Sequence, residues 1–358
     1  MRRWPAWQRV SEFGPYRSVI LPLPHLAWRA QFGVIGTIAA ALVLLLGSLQ
    51  SALSAQPATP QNAAAAVSPL SLVNQGPITN ARDAALPPLL GSGPSVDLTI
   101  ESTDVTVAIA NGVQYQAWTF GGTVPGPAIH VRQGQTVNVT YSNKGNMQHS
   151  IDFHAAEVPP NVAYREVEAG QSIQFSFVAN TPGVFVYHCG SMPVLLHMAN
   201  GMYGAFIVDP LQPLPPAAVS YVLVQGEWYT AQVQGKLMSG DFGKMMSMAP
   251  DEVVFNGVAN QYKDQPLPAR VGQRIRLYML DAGPSLPSAF HVVGAMFEAV
   301  YPDGNAAHAL TGVSTYDVAP GQGMVFDLTI QEPGKYVFVD HSMRNMSIGA
   351  AGILNVSP

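Results

Sequence analysis

Cysteine is almost absent. Cys189 stands alone in 358 residues, so no disulfide can form within the chain and the thiol must be read through its neighbours. Charge is scarce too: Asp, Glu, Lys and Arg make up 11% of the chain, and the net charge is −5. That balance carries no footprint for nucleic acid. No long helical period appears after residue 95, which excludes a helical bundle. The nine histidines never form a His-x-His pair.

The charge at the start of the chain is of one sign. Arg2, Arg3, Arg9, Arg17 and Arg29 face a single acid, Glu12, within residues 1–31. Residues 32–49, "FGVIGTIAAALVLLLGSL", are uncharged, just long enough for a membrane-spanning helix. Arginines precede this run, and none follows for about thirty residues, which places the N-terminus in the cytoplasm and exports the rest. Ala52, Ser54 and Ala55 are the small residues a signal peptidase cuts after, but the basic segment is long for a signal peptide. A retained transmembrane anchor over 32–50 is therefore expected. Residues 51–95 are rich in Ala, Pro, Ser and Gln, with Arg82 and Asp83 their only charges, and predict a disordered linker.

From Val96 onward apolar and polar residues alternate, broken by Gly and Pro. "VRQGQTVNVTY" (131–141) and "SIQFSFVA" (172–179) show the two-residue period of half-buried strands. The expected class is all-β, built as a sandwich. The second half repeats the first. "VRQGQTVNV" (131–139) matches "ARVGQRIRL" (269–277), and "VEAGQSIQFSFVANTPGVFVYHC" (167–189) matches "VAPGQGMVFDLTIQEPGKYVFVD" (318–340). A period of roughly 140 to 150 residues is too long for a solenoid, so two tandem sandwiches are expected, 96–210 and 211–358. At the position of Cys189 the second copy has Asp340, so thiolate chemistry belongs to the first domain alone.

Four histidines crowd that thiol: His149 and His154 in "MQHSIDFH", His188 and His197 in "YHCGSMPVLLHMANGM". Two imidazoles, a thiolate and a weak axial Met describe a blue-copper electron-transfer site, and His149, Cys189, His197 and Met202 supply that set. Zinc would accept His and Cys but gives Met no role. Neighbouring strand residues face opposite ways, so His188 points away from Cys189. His154, five positions from His149, also points away, and Asp152 shares its side. A second metal site is implied there. Two ligands are too few for copper, and His341, at the end of "KYVFVDH", is the best third. His291 falls where the repeat places the counterpart of His149. His308 reads as a surface residue, His130 as a strand residue without a metal partner, and His25 lies on the cytoplasmic side.

"HSIDFHAA", "GVFVYHC", the His and Met after the cysteine, "VVFNG" (253–257) and "VDHS" (339–342) resemble, in order, the copper-containing nitrite reductases, over about residues 96–358. The resemblance implies two Greek-key cupredoxin domains and two coppers per chain: type 1 held by His149, Cys189, His197 and Met202, type 2 by His154, His188 and His341. It implies that Asp152 and His291 handle protons while nitrite becomes nitric oxide. A small redox protein, a cupredoxin or cytochrome c, would donate the electron. A homotrimer is implied, with each type 2 site between subunits and His341 and His291 coming from the neighbouring chain. Leu196 stands where a Trp often precedes the type 1 histidine, the Cys-to-His loop is one residue shorter, and Ser314 replaces a Glu that often supports the catalytic histidine. Two other readings are a tethered type 1 electron carrier, which has no use for His154, His188 or His341, and a laccase-like multicopper oxidase. The oxidase needs His-x-His pairs and more histidines than this chain has. Four "KLMSGDFGKMMSMAP" methionines, Met238, Met245, Met246 and Met248, read as packing residues before Cu(I) ligands.

Overall fold

The computed structural model describes residues 81–358. The cytoplasmic segment, the anchor expected at 32–50 and most of the linker lie outside the described residues. Among the described residues no helix is long and apolar enough to cross a membrane.

Alternation becomes strands as expected. The first domain contributes β1 (Ser95–Ala110), β2 (Val113–Phe120), β3 (Ile129–Arg132), β4 (Thr136–Asn143), β5 (Asp152–Phe153), β6 (Ser172–Val178), β7 (Gly183–His188) and β8 (Tyr203–Asp209). In β4 every second residue is buried, the mark of a strand with one face on a core. The second domain contributes β9 (Val219–Trp228), β10 (Thr230–Gln234), β11 (Leu237–Gly240), β12 (Glu252–Phe255), β13 (Leu267–Arg270), β14 (Arg274–Asp281), β15 (Ser288–Val292), β16 (Ala299–Pro302), β17 (Thr315–Val318), β18 (Gly323–Thr329), β19 (Gly334–Asp340) and β20 (Ala351–Ser357).

Each domain is a two-sheet sandwich. The first pairs a sheet ordered β10-β11-β2-β1-β4-β6 with one ordered β3-β8-β7-β5; the second pairs β12-β9-β14-β18-β16 with β13-β20-β19-β15-β17. The sequence repeat is thereby explained: β3, β4, β6 and β7 correspond to β13, β14, β18 and β19. The turn glycines before β6 and β18, Gly170 and Gly321, both sit at positive φ, 79° and 83°.

Two features depart from the sequence reading. The hairpin β10–β11 follows the expected boundary at 210, yet β11 adds to the first domain's sheet beside β2. Residues 81–94, expected as linker, pack on the fold. Ala85 bridges Tyr221, the Leu90 amide donates to the His130 carbonyl at 2.7 Å, and Arg82 reaches the Val124 carbonyl. The Ala, Pro, Ser and Gln of residues 51–95 offer little to bury, which made the segment read as a linker, but the amides of 81–94 and Ala84 find partners in both domains.

Three large buried clusters result. One fills the first domain and includes Phe153, Phe177, Tyr187, Phe206, Cys189 and Met202. One fills the second, around Phe255, Phe290, Phe326 and Phe338. The third, with Tyr115, Val186, Tyr203, Trp228, Leu280 and Val325, takes residues from both domains and joins them. Gly323 in β18 lies against the Val184 carbonyl of β7 with no room for a Cβ, so the strand that leads to Cys189 is braced by the second domain.

Glu252 is a buried anomaly. It lies opposite Trp228, is 0% exposed, and neither carboxyl oxygen has a hydrogen-bond partner. Burial, with the Asp251 charge adding to it, pushes its pKa up to about 9 from the ordinary 4.5. The folded chain thus keeps a proton that the unfolded chain loses above pH 4.5. Stability from this group is present in acid and falls as pH rises towards 9, by up to about 1.4 kcal/mol per pH unit. Glu252→Gln keeps the shape and removes the titration. Denaturation midpoints of the variant should vary less between pH 5 and 9, exceeding wild type most at the alkaline end; parallel curves would refute the neutral carboxyl.

Candidate metal centres

His149 lies in the loop between β4 and β5. Its backbone pairs with Val167, accepting at 2.8 Å and donating at 3.2 Å. Cys189 directly follows β7, and its amide donates to the Met202 carbonyl at 3.1 Å. His197 sits on the short helix Val194–Ala199, and the Met202 amide donates to the His197 carbonyl at 3.3 Å. These backbone links bring the four residues to one end of the first sandwich, all buried.

Nδ1 of His149 and Nδ1 of His197 stand 3.1 Å apart. Cys189 Sγ is 3.3 Å from the His197 nitrogen and 3.9 Å from that of His149. The Ser150 amide points at the sulfur from 3.4 Å. Burial pushes the Cys189 thiol up, while hydrogen bonds from Ser150 and Ser191 pull it back. Burial, helped by His197, drives His149 down to about 4, and burial lowers His197 too. Both rings are therefore neutral at ordinary pH, as ligands must be.

The second cluster lies on the other side of the same strand end. Asp152 and His188 are directly paired across β5 and β7, and the His154 amide donates to the Val186 carbonyl at 3.1 Å. Nε2 of His154 and Nε2 of His188 are 3.1 Å apart, and an Asp152 oxygen joins them within 4.8 Å. Nδ1–H of His188 donates to the Cys189 carbonyl at 2.9 Å, which leaves its Nε2 with a free lone pair. Burial, then the neighbouring His188, lowers the pKa of His154, against the pull of Asp152.

Both clusters fit a metal ion. Two nitrogens each about 2.0 Å from a common ion, at an angle of about 100°, stand about 3.1 Å apart. Two imidazoles alone could share a proton at that distance. The thiol or carboxylate aimed at the same point favours a cation in each.

Family models of multicopper oxidase match residues 101–213 and 219–357. The copper-containing nitrite reductase of Neisseria gonorrhoeae is 39% identical over 268 residues, which is 73% of this chain and 68% of that protein. This chain belongs to the copper-containing nitrite reductase family. A solved copper nitrite reductase from Nitrosomonas europaea has a TM-score of 0.69 at 36% identity, covering 74% of this chain and 94% of that one. A Cu-containing nitrite reductase from Thermus scotoductus SA-01 matches with a TM-score of 0.69 at 29% identity, over 74% and 62%. The expected all-β cupredoxin-like fold stands on these matches.

In this family member His341 does not join His154 and His188 within one chain: the metal-capable groups among the described residues are the two clusters above. It stands exposed after β19, its ring centroid 5.5 Å from that of His291. His291 Nδ1–H donates to the Ser314 carbonyl at 2.7 Å, and Thr315 Oγ1 is 3.4 Å away. The backbone of residue 314 thus holds the ring. Asp340, at the repeat position of Cys189, is buried and accepts from the amides of Ala289 and Ser342 and the side chains of Gln225 and Asn345. Its oxygens are thereby satisfied without a metal.

Trp118 was missed by the sequence reading. Its ring lies 5.0 Å from His197 and 5.8 Å from His149, closing the first cluster from the β2 side. An indole in an alternating strand gives no metal signal. His130 is a structural residue, donating from Nδ1 to the Pro87 carbonyl at 2.8 Å, with Nε2 3.0 Å from Asp209. His308 is exposed. Met238 and Met245 are buried, whereas Met246 and Met248 are exposed.

Proposed function

We propose that the chain reduces nitrite to nitric oxide: nitrite, two protons and one electron give nitric oxide and water. The observation that carries this reading is the placement of two imidazole clusters back to back on His188 and Cys189, consecutive residues of one strand end. An electron carrier has no use for the second cluster. A four-copper oxidase has too few histidines here.

His149, Cys189, His197 and Met202 would hold the type 1 copper that takes the electron from a small donor protein. His154 and His188, completed by His341 of the partner subunit in a homotrimer, would hold the type 2 copper. When bound, the ions supply one-electron exchange and Lewis acidity towards the nitrite oxygens. The His188–Cys189 peptide, closed by the 2.9 Å hydrogen bond from the imidazole to the Cys189 carbonyl, is the short route between them. Three imidazoles would leave room for the oxyanion. Asp152 shares the His154 side of the strand and can hold a proton against it; His291 can deliver the second. The basic N-terminus and apolar run at 32–49 would set this enzyme on the outer face of the cytoplasmic membrane.

Copper-loaded protein should bind two coppers per chain and release nitric oxide from nitrite under a reductant without oxygen. Two bound coppers with no nitric oxide would overturn the assignment. Asp152→Asn distinguishes a proton carrier from a ligand. Both coppers should remain while nitrite reduction falls by about 10²-fold or more. Unchanged turnover between pH 5 and 8 removes Asp152 from the chemistry; a lost type 2 copper makes it a ligand.

A further inference from the structure

We propose that Asp104 is a positioning residue for the type 1 copper, acting through the outer nitrogen of His149. This rests on the assignment of His149 as a copper ligand. The ring offers Nδ1 to Cys189 and His197, so its proton sits on Nε2. That nitrogen is buried and has no hydrogen-bond partner. Asp104 Oδ1 is likewise buried and without a partner. The two orphans flank one glycine. A Cβ on Gly145 would lie 2.9 Å from His149 Nε2 and 3.1 Å from Asp104 Oδ1. The donor and the acceptor are therefore no more than about 6 Å apart, a gap that one bridging water spans.

The surroundings favour that pairing. Asp104 Oδ2 accepts from the Asn146 side chain at 2.6 Å and from its amide at 3.3 Å, which fixes the carboxylate over the loop carrying His149. The Gly145 amide donates to Asn143 Oδ1 at 2.9 Å. Across the β1–β2 ladder Asp104 is paired with Trp118, whose ring covers the same histidine. A cavity of about 370 Å³, lined by Asp104, Thr106, Gln116, Trp118 and Asn146, opens on the Asp104 side of this gap. Gly145 leaves the space that a side chain would fill.

A carboxylate on the outer N–H makes an imidazole a stronger donor, and a stronger donor favours Cu(II) over Cu(I). Asp104→Asn keeps the shape and removes the charge. The Cu(II)-over-Cu(I) preference should fall about tenfold, raising the type 1 potential by about 59 mV, with the thiolate band retained. Asp104→Glu, which keeps the charge, should restore most of the shift. Asn146→Ala removes the side-chain donor but keeps the residue's backbone amide on Asp104 Oδ2, and should move the potential by less than a third as much. In the diamagnetic Cu(I) form, the His149 Nε2 proton should resonate downfield in wild type and move upfield in Asp104→Asn. A retained band with an unmoved potential in Asp104→Asn overturns the proposal. So does an equal shift in Asn146→Ala, which would make Asp104 a loop anchor only. Wild-type protein that holds copper without a thiolate band fails differently: it removes the type 1 assignment, and this role with it.

Discussion

Cys189→Ala is expected to bleach the copper-loaded protein. Thiolate-to-copper charge transfer is the source of the intense visible absorption, and Cys189 is the chain's sole thiol. His149 and His197 remain but have lost the anion between them. The second cluster should survive for a structural reason: His188 Nδ1–H donates to the backbone carbonyl of residue 189, which alanine keeps. Copper should fall from two per chain towards one. Turnover driven by a donor protein should stop, because the electron has no entry site. The side chain is 0% exposed and accepts from the Ser150 amide, so a loss of about 1–3 kcal/mol from that orphaned donor is expected in the melt. A variant that keeps its colour would remove Cys189 from the type 1 site.

Much of this site was legible because its residue types are rare and costly to bury. A lone Cys flanked by His188 and followed by His197 and Met202 has few other uses. Alternation gives opposite sides to His188 and Cys189, but His149 and His154 lie outside the strands, before and after β5, where alternation does not decide the side. The repeat between 167–189 and 318–340 was legible because strand, turn glycine and strand recur at a constant offset. Trp118 and Asp104 were not legible, since an indole and a carboxylate in a strand have many commoner roles. Nor could alternation tell which sheet edge a hairpin joins, so the passage of β10–β11 into the first domain's sheet was hidden. Composition misjudged residues 81–94 for a related reason. A segment of Ala, Pro and Ser carries too little apolar surface to announce a core of its own, yet its amides can still dock on one that others build.

His341→Ala tests the part of the site that one chain does not assemble. His341 and His291 lie together on the second domain, away from His154 and His188 of the same chain. Loss of one imidazole of three should weaken the type 2 copper by at least the roughly 10–100-fold that losing an outer-shell partner costs, and nitrite reduction should collapse. The type 1 band should persist, because the four residues proposed to hold that copper are in the first domain. His154→Ala should give the same loss from the other half-site. The two dead variants then make a complementation test. In a cyclic homotrimer every interface is equivalent, and each would join His154 and His188 of one chain to His341 of the next. Random trimers from an equal mixture should place an intact pair of half-sites at about a quarter of the interfaces. Activity and type 2 copper should recover together to about that fraction. A site built within one chain gives no recovery, since each chain carries a broken site wherever it goes. Mixed trimers confirmed by mass that stay inactive would therefore overturn the shared site, while leaving the two-copper chain and its type 1 centre in place.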